Sequence, residues 1–244
     1  LDVNLSDVIS LCKAADIFKK IVKSRGGCDI LRHRVLASYF NEPSTRTSCS
    51  FHAAMVRLGG NVINVSDNNS SSKKGETLND TIQTLSSYCD AIVLRHSCIG
   101  SAANSASISS IPVINAGDGT GEHPSQALLD VYTILTELGH IGDYYPFSKN
   151  SNNINNLNVQ NKEMKSSNIK STMTIVIVGD LKNGRTVHSL VQLLAQFKGI
   201  KFIFVSPPNL GMPDRIIEFI TKLGAKVAFT TNLTDEIVSV DQNN

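Results

Sequence analysis

Long apolar runs are missing from this chain. A membrane-crossing helix needs roughly 18 successive apolar residues, whereas the longest runs here, such as TIVIV at 174–178, have strand length. We therefore expect no membrane partner. An excess of one charge sign is missing as well. Lys and Arg number 23 against 21 Asp and Glu, and the net charge of +2 is scattered along the chain. Nothing in that balance calls for nucleic acid or an anionic surface, so any anion must be recognised locally. The five cysteines (Cys12, Cys28, Cys49, Cys89 and Cys98) form no CxxC pair and are odd in number. That argues against a disulfide or zinc framework and for reduced thiols in a reducing compartment. We expect a cytoplasmic protein, although a chain that begins at Leu1 leaves room for a removed N-terminal targeting segment.

What is present is an alternation. At 244 residues and 41% apolar content, the chain can fill a core for one large or two small domains. Apolar positions spaced by three and four residues predict an amphipathic helix over 6–24. Strand-like runs follow at 35–40, 61–65, 91–95 and 112–116, with helical patterns at 45–58, 76–88 and 124–138. Strands separated by helices form parallel sheets with right-handed crossovers. The order breaks at 149–171 (KNSNNINNLNVQNKEMKSSNIKS), which is too polar to bury enough surface to offset its ordering entropy. Alternation resumes with strands at 173–178, 201–205 and 225–229 and helices at 185–197 and 213–223. The fold class is α/β, with two parallel-sheet domains. Residues 1–139 make the first, 140–171 a linker with an Asn/Ser-rich disordered insert, and 172–244 a second domain that we expect to continue past Asn244.

Ligands of open parallel sheets bind beyond the carboxyl ends of the strands, and four polar clusters lie there. In NEPSTRTSCSF, one hydroxyl suffices to cap the helix that follows, but Ser44, Thr45 and Thr47 accompany Arg46. A helix start with free N–H groups, extra hydroxyl donors and a guanidinium fork suits a phosphate. SSSKKGE, 70–76, reads as a solvated loop whose lysines could reach an anion. The third cluster joins Arg95 and His96 to GDGTGEHPSQ, 117–126; Pro124 suits a first helical position, leaving His123 at the cap and Gln126 within one turn. Two neutral donors beside a helix start suit a carbonyl better than a phosphate. The GxGxG spacing matches a dinucleotide loop only faintly. The fourth, GDLKNGRT at 179–186, departs from a P-loop by placing Arg185 where the lysine belongs.

Together, FNEPSTRTSCSF, SSSKKGETLNDT, LRHS, NAGDGTGEHPSQALLD and VGDLKNGRTVHSL resemble, in order, the motifs of the transcarbamoylase family on its aspartate-using branch. The resemblance runs over nearly the whole chain except the Asn-rich insert. It implies one domain for carbamoyl phosphate and one for L-aspartate, with the reaction between them giving N-carbamoyl-L-aspartate and phosphate, an early step of pyrimidine synthesis. Residue by residue, it implies that Ser44, Thr45, Arg46 and Thr47 hold the phosphate, assisted by Arg95. Thr47, Arg95 and His123 contact the carbamoyl oxygen, Gln126 the carbamoyl nitrogen, and Arg185 a carboxylate of aspartate. It further implies a homotrimer in which Ser70 and Lys74 reach into the neighbouring subunit's site. Fixed donors on the oxygen and cations around the leaving phosphate suffice for this chemistry, with no metal or cofactor. The leaving phosphate and Lys74 are both candidate acceptors for the amine's proton.

The family's later arginine loop, HPLPR-like loop and closing helix do not appear in the sequence. Three alternatives stay open at this point: the ornithine-using branch, which shares STRT and HPxQ; a catalytically silent homologue that binds carbamoyl phosphate; and a P-loop nucleotide binder.

Overall fold

A computed structural model describes residues 3–66, 75–138 and 173–232. Ser70, Lys74, the Asn-rich insert and both boundaries of the expected linker lie outside the described residues. The chain is α/β, with two parallel sheets.

The first sheet is built from β1 (Val35–Phe40), β2 (Asn61–Val65), β3 (Ala91–His96) and β4 (Val113–Asp118), in the order β2-β1-β3-β4. Alternate residues of β1 face opposite layers. Ala37 and Tyr39 pack with Ile82, Leu85, Ile92 and Leu94 on one side, whereas Leu36 packs with Met55, Val93 and Ala116 on the other. A strand buried on both faces reads as one continuous apolar run, which is why VLASYF was legible. Helices α1 (Leu5–Arg25), α2 (Thr45–Arg57), α3 (Leu78–Ser86), α4 (Ser101–Ile108) and α5 (Pro124–Glu137) accompany this sheet. α1 and α3 open with reciprocal capping boxes, Asn4 with Asp7 and Thr77 with Asp80.

The sequence did not announce α4. Its eight residues, SAANSASI, fully bury only the small Ser101, Ala102 and Ser105, and the one large apolar residue that packs inward, Ile108, comes at its very end. β4 also begins one residue later than expected and runs two residues further, ending at Asp118, with an irregularity in its pairing to β3 between Leu94 and His96. α3 is shorter than its polar-to-apolar pattern suggested, nine residues from Leu78.

The second sheet has the order β5-β6-β7, from Met173–Val178, Ile200–Val205 and Lys226–Thr230, with helices α6 (Arg185–Leu194) and α7 (Asp214–Lys222). Its core does not stop at its own elements. Leu181, Val191, Leu194, Phe202, Phe204 and Ile220 pack in one cluster with Val8 and Cys12 of α1 and Ala127, Val131 and Leu135 of α5. Each such fully buried large apolar side chain contributes about 1.5–3 kcal/mol, so α1 and α5 are fixed to the second sheet, and α5, which also packs on β4, joins it to the first. Among the described residues, no helix is long and apolar enough to cross a membrane.

Candidate active site

The carboxyl ends of β1, β3 and β4 meet at one rim. Phe40 lies opposite Arg95 and His96 opposite Asp118 in register, and the Asn41 N–H donates to the Arg95 carbonyl at 2.9 Å. From that rim the chain turns into α2. Ser44 occupies the N-cap in an extended conformation, φ −158°, yet its hydroxyl makes no capping bond, and the first turn holds no acidic residue. Arg46 is exposed and makes no ion pair among the described residues. The hydroxyl that could have capped the helix therefore stays free of the backbone. The helix start presents its amides, three hydroxyls and one guanidinium with no internal counter-charge, an arrangement that attracts an anion.

Two further cations stand behind it. Arg95 and Arg185 share one carboxylate oxygen, Oε2 of Glu42, at 3.2 and 3.5 Å, and both guanidinium side chains are largely buried. Arg185 also donates to the Gly119 carbonyl and lies flat against Gly117. A Cβ on Gly117 would sit 3.1 Å from the Arg185 Cζ, and its φ of +118° is itself a glycine conformation. Burial first, and then the charge of Arg185, lowers the pKa of Arg95, against the opposing pull of Glu42. One carboxylate, Glu42, thus holds the two guanidinium groups together.

His123 is the N-cap of α5 with Pro124 behind it, as the sequence predicts. Only 5% of it is exposed. Its N–H donates to Ser189 Oγ at 3.0 Å, and its Nδ1 lies 3.3 Å from Ser125 Oγ. Burial, with Arg185 and Arg95 adding repulsion, lowers its pKa to about 4. At neutral pH the ring is an uncharged imidazole, able to donate from one nitrogen without adding charge. Beside it, Glu122 accepts from Ser189 Oγ and, at 2.9 Å, from Gln192 Nε2, so the β4–α5 turn is bonded directly to α6. Gln126 faces a different neighbour, donating to Asp130 one turn further along α5 at 2.9 Å.

Glu42, Glu122, Ser189 and Gln192 were not singled out by the sequence. The only local signal was an acidic residue two positions before a phosphate-type cluster; the rest depends on partners 53 to 143 residues away.

The loop GDLKNGRT does not form a phosphate cradle. Asp180 Oδ1 accepts the N–H groups of Lys182 and Asn183 at 3.1 and 3.0 Å, and the Leu210 carbonyl accepts those of Leu181 and Lys182. The amides a P-loop would offer to phosphate are already taken, by a negative group, so the nucleotide reading falls. Among the described residues no group of three or more metal-ligating side chains is gathered.

The rim thus brings together the hydroxyl- and arginine-bearing start of α2, two guanidinium groups on one carboxylate, and a neutral imidazole that both of them act on. The family described as aspartate/ornithine carbamoyltransferase, carbamoyl-P binding domain, matches residues 1–136. The multifunctional protein pyr1-3 of Dictyostelium discoideum is 46% identical over 230 residues, 94% of this chain and 9% of that protein. An aspartate carbamoyltransferase catalytic subunit of Methanococcus maripaludis is 42% identical over 241 residues, 98% of this chain and 69% of the subunit. Among solved structures, the aspartate transcarbamoylase of Trypanosoma cruzi in complex with carbamoyl phosphate and aspartate has a TM-score of 0.80 at 36% identity, covering 97% of this chain and 67% of that one. The chain thus spans a small part of the multifunctional relative and about two thirds of the single-function ones. On the profile match, the identities and the shared fold, this chain belongs to the aspartate/ornithine carbamoyltransferase family.

Proposed function

We propose that the protein transfers the carbamoyl group of carbamoyl phosphate to the amino group of L-aspartate. The observation that carries this reading is the neutral, buried His123 flanked by Arg95 and Arg185, beside a helix start whose Arg46 has no ion-pair partner among the described residues. The Trypanosoma cruzi enzyme of the same fold has been solved with carbamoyl phosphate and aspartate bound.

In this reading Ser44, Thr45, Arg46 and Thr47 hold the phosphate at the α2 amides, and Arg95 adds charge from behind. The aspartate amine, in its neutral form, attacks the carbamoyl carbon; the new C–N bond forms, the C–O bond to phosphate breaks, and the amine loses a proton to the leaving phosphate or to Lys74. Negative charge that gathers on the carbamoyl oxygen is met by Thr47, Arg95 and His123. A preset donor of this kind contributes roughly 3 kcal/mol to the transition state. A neutral imidazole serves here better than a charged one, because it donates without competing with the arginines for the phosphate. Gln126 contacts the carbamoyl nitrogen once it leaves Asp130, and Arg185 takes a carboxylate of aspartate. A guanidinium at that place disfavours the cationic side chain of ornithine.

We further propose a homotrimer in the cytoplasm, with Ser70 and Lys74 entering the neighbour's site. Val56 of α2 and Ile63 of the edge strand β2 are 54% and 40% exposed. Val56 lines a groove of about 660 Å³ together with Phe40, Cys49, His52 and Val65, a face that a second copy would cover.

Two measurements test the reaction. Carbamoylation assayed with aspartate and with ornithine should proceed with aspartate; turnover with ornithine alone would refute the assignment. Calorimetric titration of carbamoyl phosphate should show affinity falling by more than about ten-fold in Arg46→Ala, the loss of a charge-assisted contact worth about 1.5–3 kcal/mol. Unchanged affinity would mean that the phosphate lies elsewhere.

A further inference from the structure

We infer that Asp118 is the positioning residue of this site, setting Arg185 and His123 through the β4–α5 turn; the inference rests on the reading just proposed. Asp118 ends β4 and is 6% exposed, yet it makes no ion pair among the described residues. Its charge is met by peptide groups instead. Oδ1 accepts the Glu122 N–H at 2.7 Å and Asn115 Nδ2 at 3.3 Å, while Oδ2 accepts the Gly100 N–H at 2.8 Å. Its main chain closes the same turn, accepting from the Gly121 N–H at 2.8 Å and donating to the Glu122 carbonyl at 3.2 Å. The turn is tight enough that a Cβ on Gly121 would lie 2.9 Å from both Asp118 oxygens, Oδ1 and the carbonyl.

One carboxylate therefore staples the start of α4 to the turn that precedes α5. Several bonds from that turn reach Arg185 and the rest of α6. The Gly119 carbonyl accepts from Arg185 while its N–H is held by the His96 carbonyl at 2.9 Å. Glu122 accepts from Ser189 and Gln192, and the His123 N–H donates to Ser189. By contrast, the phosphate-binding start of α2 grows from β1, and among the described residues no hydrogen bond joins it to residues 118–123. Asp118 thus acts directly on the turn that holds Arg185 and His123, and reaches the start of α2 only indirectly, through Arg185 and Glu42.

That asymmetry is testable, because the two sides bind different ligands. Both carboxylate oxygens accept N–H groups, so Asp118→Asn keeps the shape but turns an NH2 towards one of those donors. On the full natural chain, calorimetry would measure inorganic phosphate, then succinate as a dicarboxylate probe under saturating carbamoyl phosphate. We expect Asp118→Asn to bind phosphate within about two-fold of wild type and succinate about ten-fold more weakly, with the aspartate KM rising in parallel. Unchanged succinate affinity, or equal weakening of both ligands, would overturn the inference. Should Asp118→Asn not fold, Asn115→Ala removes one donor to the carboxylate and the acceptor of the Gly117 N–H at 2.8 Å. It should shift succinate alone by about three-fold, and no shift would count against the inference. A wild-type chain that binds phosphate but no dicarboxylate would refute the aspartate reading itself, and this inference with it.

Discussion

His123 carries a consequence for stability as well as for chemistry. Its folded-state pKa is about 4, set by burial and then by Arg185 and Arg95, whereas an unfolded histidine titrates near 6.5. Between those values the unfolded chain takes up a proton that the folded chain refuses. The contribution of the neutral ring is therefore complete above about pH 6.5 and is lost as pH falls towards 4, by up to about 3 kcal/mol. Urea unfolding at pH 7.5 and pH 4.5 should show wild type losing more stability than His123→Gln by that order. Equal losses in the two proteins would contradict the buried, cation-flanked site. The same ring predicts no inflection from His123 near pH 6.5 in the rate profile, because it has already lost its proton. Its cap position and its proline were legible from HPSQ. The charge that depresses it was not, because Arg95 and Arg185 are brought to it by strand register and by α6.

Among the elements, α5 packs on both β4 and α6 and so joins the two sheets, and one polar contact ties it to α1. The Tyr132 hydroxyl donates to Asp16 Oδ1 at 2.6 Å, and the Lys19 ammonium lies 5.7 Å from the centre of the Tyr132 ring. Burial and then Asp16 push the Tyr132 pKa up to about 12, so the hydroxyl keeps its proton and remains a donor. Asp16 Oδ2 is buried without a partner, so Tyr132 supplies this carboxylate with its one partner among the described residues. Tyr132→Phe should destabilise by about 1–3 kcal/mol, the cost of a buried acceptor left without its donor. Thermal unfolding would check this, and a midpoint equal to wild type would show that water replaces the hydroxyl without loss. Elements with a large apolar face were legible, down to the ends of β1, β2 and β5. α4 was not, since Ser and Ala at its inner positions look the same in a helix and in a loop.

For the whole molecule, the proposed trimer bears on the groove beside α2, which the half-exposed Val56 lines. Sedimentation equilibrium should return three times the chain mass. Val56→Lys, which puts an ammonium on the apolar face, should shift the population towards single chains. A monomeric wild type would overturn the assembly and, with it, the shared-site role of Ser70 and Lys74.

By itself the sequence determined the α/β alternation, the hydroxyl- and arginine-rich start of α2, the His123 cap and, through five short motifs in order, the family, because each element or motif depends on residues within about one helical turn or one strand of one another. Periodicity, caps and short motifs are local physics. Only the tertiary structure decided that Glu42 would hold two arginines, that Asp180 would fill a would-be phosphate loop, and that Asp118 would staple the turn between them. The Glu42 bonds and the bond from Gly100 to Asp118 join residues 18 to 143 positions apart, so they form only once distant strands and helices are packed. Even in GDLKNGRT, where the partners are neighbours, the choice between a cradle and a closed turn came from a folded backbone that aims Asp180 at its own amides.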